Sequence, residues 1–289
     1  MGNVEGIERV RLDLAYDGTD FAGWAAQPGL RTVQGELERA LAVAVGRADG
    51  SPPRLVVAGR TDAGVHATGQ VAHVDLTTAQ LAALTRRRDG GGAVDVVARR
   101  LTGLLAEAGD VVVHRARIAP EGFDARFGAV FRRYRYRVAD RLTARDPLER
   151  RRTVHHPRPL DEERMRAAVA DLAGLHDFAA FCKPRPGATT IRQLQSLTWT
   201  READGVLVAE VRADAFCHNM VRALVGASIA VGVGRLEPGR LADLLHAPAR
   251  SNEFAIAPAH GLTLVEVGYP ADEDLAAQAE QARARRALP

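Results

Sequence analysis

Ala58-Gly59-Arg60-Thr61-Asp62-Ala63-Gly64-Val65-His66-Ala67, running on into Thr68-Gly69-Gln70-Val71-Ala72-His73-Val74, is the stretch on which the reading of this chain turns. It follows the apolar run Leu55-Val56-Val57-Ala58, so it reads as strand, loop and strand. The glycines let the backbone turn sharply and approach a ligand closely. The short string Thr61-Asp62-Ala63-Gly64, taken alone, is an ordinary turn whose Asp bonds its own backbone. A single carboxylate two residues from Arg60, on a loop between strands, also has the makings of an active-site residue. His66 and His73 read as local hydrogen-bonding residues that orient this loop, because their spacing across a turn matches no usual metal site.

Outward from the loop, the pattern mixes helices with antiparallel strands. Arg9 to Tyr16 alternates as a strand with Val10, Leu12 and Leu14 on one face. Thr32 caps an expected helix over Val33–Val45, whose face is Val33, Leu37, Ala40, Leu41 and Ala44. Strands are expected at Leu55–Ala58, Gly69–Leu76 and Val111–Ile118, with a helix near Val94–Ala106. Arg86–Gly92 reads as a mobile basic loop. In the second half, helices are expected near 160–172, 217–231 and 238–246, and strands near 193–201, 206–212 and 263–267. Residues 1–145 and 146–270 thus form two α+β halves, expected to face each other across a cleft, and 271–289 a tail that is a frayed helix or disordered.

Phe131-Arg132-Arg133-Tyr134-Arg135-Tyr136-Arg137-Val138 is the second notable element. Strand alternation places Phe131, Arg133, Arg135 and Arg137 on one face and Arg132, Tyr134, Tyr136 and Val138 on the other. Between Arg126 and Arg152 stand ten arginines against Asp140, Asp146 and Glu149, a local excess of seven positive charges. A run so one-sided, threaded with aromatics, leans toward nucleic acid; its plainer reading is a solvated amphipathic strand with buried tyrosines.

The bulk composition excludes several classes. With 289 residues, 46% hydrophobic and 26% charged, the chain is ordinary for a globular protein. No apolar run reaches the length of a membrane span; Met220 to Val233 comes nearest and Arg222 interrupts it. The start Met1-Gly2-Asn3-Val4-Glu5-Gly6 lacks the features of a signal peptide. Cys182 and Cys217, far apart in sequence, argue against a disulfide framework or a cysteine-built zinc site, and point to a reducing cytoplasm. Nearly all the positive charge is arginine, Lys183 being the only lysine. No P-loop, dinucleotide fingerprint, nucleophile elbow or metal spacing is present, so no cofactor and no metal are expected.

Arg60-Thr61-Asp62-Ala63-Gly64-Val65-His66 followed by Gly69-Gln70-Val71-Ala72-His73 resembles the signature of the TruA family of tRNA pseudouridine synthases. The likeness runs through Tyr16-Asp17-Gly18-Thr19, Gly23-Trp24, Phe123-Asp124-Ala125-Arg126-Phe127, Arg133-Tyr134-Arg135-Tyr136, Phe216-Cys217-His218-Asn219-Met220-Val221-Arg222 and Gly261-Leu262-Thr263. Ala25, Thr102, Gly128 and Cys217 depart from the residues usual at those places. The resemblance implies the pseudouridine synthase fold, two α+β halves with mostly antiparallel sheets flanking a central basic cleft. It implies Asp62 as the catalytic aspartate and Tyr134 as the tyrosine stacked on the target base. It further implies Arg222 as the partner of the aspartate, Leu262 as the apolar residue under the base, and Arg60 and Arg126 as basic residues of the cleft.

For function, the resemblance implies isomerisation of uridine to pseudouridine at positions 38, 39 and 40, in the anticodon stem-loop of tRNA, by a cytoplasmic homodimer. Breaking the bond from C1′ to N1, turning the base and rejoining C1′ to C5 needs no redox step, metal or phosphate energy. An ionised carboxylate beside C1′ can trap or stabilise the cationic sugar or take a neighbouring proton, and the sequence leaves these open. An arginine partner keeps it ionised. A flipped uridine needs an aromatic and an apolar floor in place of its lost stacking, and Tyr134 is a further candidate for removing the C5 proton. Recognition of several positions fits readout of tRNA shape and backbone. The alternative is a silent tRNA- or RNA-binding protein or chaperone using the same cleft, and a third reading, an RNA methyltransferase, lacks a nucleotide-cofactor loop.

Overall fold

Strand β1 (Ile7–Tyr16) alternates as its sequence requires, burying Val10, Leu12, Leu14 and Tyr16 and leaving the residues between them half-exposed. It lies in the first of two compact units of a computed structural model that describes residues 6–46, 53–86 and 94–283. This unit comprises residues 6–130 with Val267–Arg283, and the second is Phe131–Glu266. After β1 come α1 (Val33–Val45), β2 (Leu55–Val57), β3 (His66–Thr77), α2 (Thr78–Thr85), α3 (Asp95–Leu104) and β4 (Val111–Ile118).

In this unit the strands run in the order β4-β1-β3, antiparallel, with β2 added to β3. Helix α1 starts where expected, because the Thr32 hydroxyl accepts from the Gly35 N–H at 3.2 Å. It buries the expected Val33, Leu37, Ala40, Leu41 and Ala44. Helix α2 was not expected from the sequence; Thr77 and Gln80 close a reciprocal capping box at its start. Strand β3 begins earlier than Gly69, at His66, since Ala67 already pairs with Tyr16 of β1. From Gln70 to Val74 it is buried throughout. Beyond Arg86, the expected basic loop to Gly92 lies outside the described residues.

The second unit contains β5 (Phe131–Ala139), β6 (Val154–His155), α4 (Glu162–Val169), β7 (Gly174–Asp177), β8 (Ile191–Arg201), β9 (Leu207–Ala213), α5 (Met220–Gly232), α6 (Arg240–Leu244) and β10 (Leu262–Gly268) as far as Glu266. Its strand order is β10-β5-β9-β8-β7, with the short β6 parallel to β5. Strand β5 belongs here because it is registered along its length on β9, from Arg132↔Ala213 to Val138↔Leu207. Helix α5 is apolar all round and buries every residue except Arg222. Side chains such as Leu224, Val225 and Val231, all at 0% exposure, each contribute about 1.5–3 kcal/mol of burial. The mixed α+β architecture with mostly antiparallel strands is the fold class expected.

Two expectations are corrected. The tail beyond Ala271 is not frayed over its described part: α7 (Leu275–Arg283) buries Leu275 and Ala279, one turn apart, and Arg283 reaches Asp124 at 3.2 Å. The cysteines, whose spacing argued against a disulfide, are joined as Cys182–Cys217 with Cα atoms 5.8 Å apart. The antiparallel strands β8 and β9 lie between them and carry the chain out and back, so a large sequence separation closes to a short distance in space. Among the described residues, no helix is long and apolar enough to cross a membrane.

Candidate active site

The Asp62 loop connects β2 to β3, and neutral hydrogen bonds hold its backbone from both sides. The Trp24 N–H donates to the Thr61 carbonyl at 3.0 Å, the Val65 N–H to that of Asp62 at 3.2 Å, and the Gly64 N–H to that of Phe21 at 3.3 Å. Gly64 turns the loop at φ +77°, a conformation other residues adopt only with strain. Gly18 is required for a different reason: a Cβ there would stand 2.0 Å from the Val65 carbonyl oxygen. Gly59 has open space about it, so the loop draws its shape from Gly64 and Gly18.

Beneath the loop lies a buried polar cluster that the sequence reading missed. The Tyr16 and Thr61 hydroxyls share a hydrogen bond of 2.8 Å, and the Gln70 amide donates to the Tyr16 oxygen at 3.1 Å and to the Gly59 carbonyl at 2.9 Å. Burial pushes the Tyr16 phenol up to about 12, against the opposing pull of Thr61 and Gln70, so it stays neutral. Thr61 is therefore anchored from below while Asp62, the next residue, is half-exposed. The signal was present in the composition: Gln70 is a polar residue in a run, Gln70–Val74, that is buried throughout.

The two histidines expected to orient this loop through local bonds both bond residues distant in sequence; His66 reaches the loop's surroundings, while His73 binds the Ala125 segment. His66 Nδ1 accepts the Gly18 N–H at 3.0 Å, tying the Asp62 loop to the turn after β1. His73 Nδ1 accepts the Ala125 N–H at 3.0 Å, and its ring meets Phe123 edge-on. Burial, helped by the Arg9 guanidinium, lowers His73 to about 4 against the pull of Asp124 and Asp75, so the ring is neutral. Arg60 and Arg126 also belong to this unit and are exposed; Arg126 lies over the Phe127 ring at 4.9 Å.

Tyr134, Arg222 and Leu262 belong to the second unit. Tyr134 is buried on the apolar face of β5, and Phe216 meets its ring edge-on at 5.1 Å and 89°. Phe216 carries no role in the sequence reading; its contact arises because the chain after β9 turns back over β5. Arg222 lies in the first turn of α5, where its Nε donates to the Ala257 carbonyl at 2.7 Å. Burial raises the Tyr136 phenol, and the Arg222 guanidinium draws it part of the way back. Tyr136 donates to the Pro258 carbonyl at 2.8 Å, fixing the segment that leads to the buried Leu262 at the start of β10.

The family model for tRNA pseudouridine synthase matches residues 168–270. Over nearly its whole length the chain is similar to proteins named tRNA pseudouridine synthase A. It is 58% identical to that of Leifsonia xyli subsp. xyli, covering 97% of this chain and 98% of the relative. It is 54% identical to that of Frankia casuarinae, covering 99% and 98%, and 49% identical to that of Mycobacterium leprae, covering 96% and 95%. The chain belongs to the tRNA pseudouridine synthase A family. Membership makes it an isomerase of the pseudouridine synthase fold.

One reading of this family member's sequence changes. The outward face of β5 is not a bare basic surface. Arg133 pairs with Glu266 at 2.8 Å, Arg135 with Glu202 and with Glu210 at 3.3 Å, and Arg137 with Glu202 at 3.0 Å and Asp204 at 2.9 Å. Arg152 pairs with Glu149 at 2.6 Å, and the buried Arg132 donates to the Asp214 carbonyl at 2.6 Å. The count of charge along the sequence missed the carboxylates that β9, the turn after β8 and β10 bring alongside.

Proposed function

We propose that this chain converts uridine to pseudouridine at positions 38, 39 and 40 of the tRNA anticodon stem-loop, with Asp62 as its catalytic residue. The observation that carries the reading is the Asp62 loop: a half-exposed carboxylate on a backbone held from both sides, in a chain kin over nearly its whole length to tRNA pseudouridine synthases. Arg222 pairs with Asp62, Tyr134 stacks on the flipped base, Leu262 forms its apolar floor, and Arg60 and Arg126 line the approach of the RNA backbone. The enzyme acts in the cytoplasm as a homodimer, with tRNA as its macromolecular partner. Kinship supports these assignments, and the buried settings of Tyr134 and Leu262 agree with them.

Release of tritium from C5-labelled uridine in tRNA, without added cofactor, tests the reading. The wild-type chain is expected to release it, and Asp62→Asn to lose release while keeping its fold and tRNA affinity. A wild-type chain that binds tRNA and releases nothing is a silent binding protein. Near-normal release by Asp62→Asn would sink the catalytic assignment.

A further inference from the structure

The disulfide joins a core-set part of the second unit to the irregular stretch between β9 and α5. On the Cys182 side the chain is set in the core: Phe181 is fully buried and stacks on Phe254 at 5.7 Å, and the Ala180 carbonyl accepts the Ser251 N–H at 3.0 Å. Cys182 itself is fully buried. Cys217 is half-buried, in the irregular stretch between β9 and α5. Asn219, just beyond it, has φ +68°, the only positive value outside glycine among the described residues, and α5 starts without a side-chain cap. A backbone bond, Lys183 N–H to the His218 carbonyl at 2.9 Å, runs beside the disulfide.

The tethered segment touches one proposed site residue, Tyr134, and leads into another, Arg222. Phe216, next to Cys217, stands edge-on to Tyr134, and Arg222 lies in the first turn of the helix that the segment enters. We propose that the Cys182–Cys217 bond is a positioning element of the uridine site, holding Phe216 against Tyr134 and seating the start of α5, and that its reduction slackens both. This rests on the roles proposed for Tyr134 and Arg222. In a reducing compartment such a bond exchanges with the thiol pool, so the site responds to thiol redox state. A dithiol reductant attacks the more accessible Cys217 sulfur through its thiolate and expels Cys182, which takes up a proton. The reductant's second thiol then closes on the mixed disulfide and expels Cys217. The protein gains two electrons and two protons, and the reductant leaves as a cyclic disulfide. Treatment with a small-molecule disulfide reverses the exchange.

The test compares the full-length protein after a small-molecule disulfide, after a dithiol reductant, and after re-oxidation. Four quantities are read: titratable thiols, single-turnover tritium release from tRNA, the Kd for tRNA, and the Tyr134 ring resonances assigned with Tyr134→Phe. Reduction is expected to expose two thiols, to shift the Tyr134 resonances, and to slow turnover about tenfold or more, as displacement of a positioned group does. The Kd should stay within about twofold, because phosphate contacts dominate affinity, and re-oxidation should restore the rate. The Cys182→Ser/Cys217→Ser double variant should show the reduced values in either condition.

Two thiols persisting after the small disulfide would overturn the proposal, as would equal rates and unmoved Tyr134 resonances in both states. A loss of rate, tRNA affinity and Tm together would mark the bond as a general staple, and also overturns it. Resonances that move in a protein releasing no tritium in either state would sink the isomerase reading and leave the positioning role standing.

Discussion

The Asp62 loop and the arginine face of β5 are the two regions in which the sequence concentrates its chemical signal, and they resolve in opposite ways. In the loop, a single carboxylate is half-exposed and its backbone is fixed by neutral bonds from Trp24, Phe21 and Val65 and by the cluster of Tyr16, Thr61 and Gln70. On β5, three outward arginines are bound to five carboxylates, Glu149, Glu202, Asp204, Glu210 and Glu266, several of them shared. Density of charge therefore marks a mutually satisfied surface here, while the carboxylate proposed as catalytic stands on a loop whose backbone is held by neutral hydrogen bonds. The second unit offers another instance in Asp140. Its side chain is fully buried and accepts from Arg201, the Leu160 and Leu142 N–H groups and the Thr143 hydroxyl. Burial alone would raise Asp140, and those donors outweigh it and hold the carboxyl below the usual range. So satisfied a carboxylate is structural.

If rigidity makes the Asp62 loop work, disturbing its support should have the largest effect. Gly18→Ala puts a methyl 2.0 Å from the Val65 carbonyl oxygen, so the loop must shift. Tritium release should fall about a hundredfold, as displacement of a reacting group by about 1 Å does. A rate within about twofold of wild type would show that the loop tolerates movement. On the other side of the comparison, Arg201→Ala should act on stability alone. Losing the partner of the buried Asp140 should lower the unfolding free energy by about 2 kcal/mol, less than for a fully buried pair because Arg201 is partly exposed. Urea unfolding measures this, and tritium release per folded molecule should be unchanged.

Acid should distinguish the units through His73. Its folded pKa is about 4, below the unfolded value near 6.5, so the unfolded chain binds the extra proton. The stability from its neutral ring is complete above the unfolded value and is lost as pH falls toward the folded one. The expected slope is about 1.4 kcal/mol per pH unit between those values. His73→Asn, which keeps an acceptor for the Ala125 N–H, should flatten that slope in urea titrations at successive pH values. An unchanged slope would mean that other groups carry the acid sensitivity.

Local pattern is what could be read from the sequence. The helix from Val33 to Val45 and its Thr32 cap, the alternation of β1, and the two faces of β5 all obey periods of 3.6 and 2. Helix α2 was legible too, since Thr77-Thr78-Ala79-Gln80 is a capping-box string. Other features depend on distant partners and have no local signature. Glu266 and Glu210 reach the β5 arginines only through strand pairing, Phe216 meets Tyr134 only after β9 turns back, and Cys182 meets Cys217 only across β8 and β9. Asp62 stood out because its motif was long, whereas Thr61 and Gln70 hid inside the same motif as apparent spacers.

The smallest effect should come from the arginine face itself. Arg135 is tied to Glu202 and Glu210 and is more than a third exposed, so Arg135→Gln should change stability by no more than about 1 kcal/mol. Its more telling readout is the dependence of tRNA affinity on salt. An arginine that neutralises a phosphate contributes about one unit to the slope of log K against log salt, and removing it lowers the slope by that amount. Glu202 and Glu210 already neutralise Arg135, and a phosphate would have to displace carboxylates held in place by Arg133 and Arg137 as well. The slope for Arg135→Gln should therefore match wild type. A slope reduced by about one would mean that RNA opens this network on binding, and the contrast between the quiet strand and the active loop would then hold only for the unbound protein.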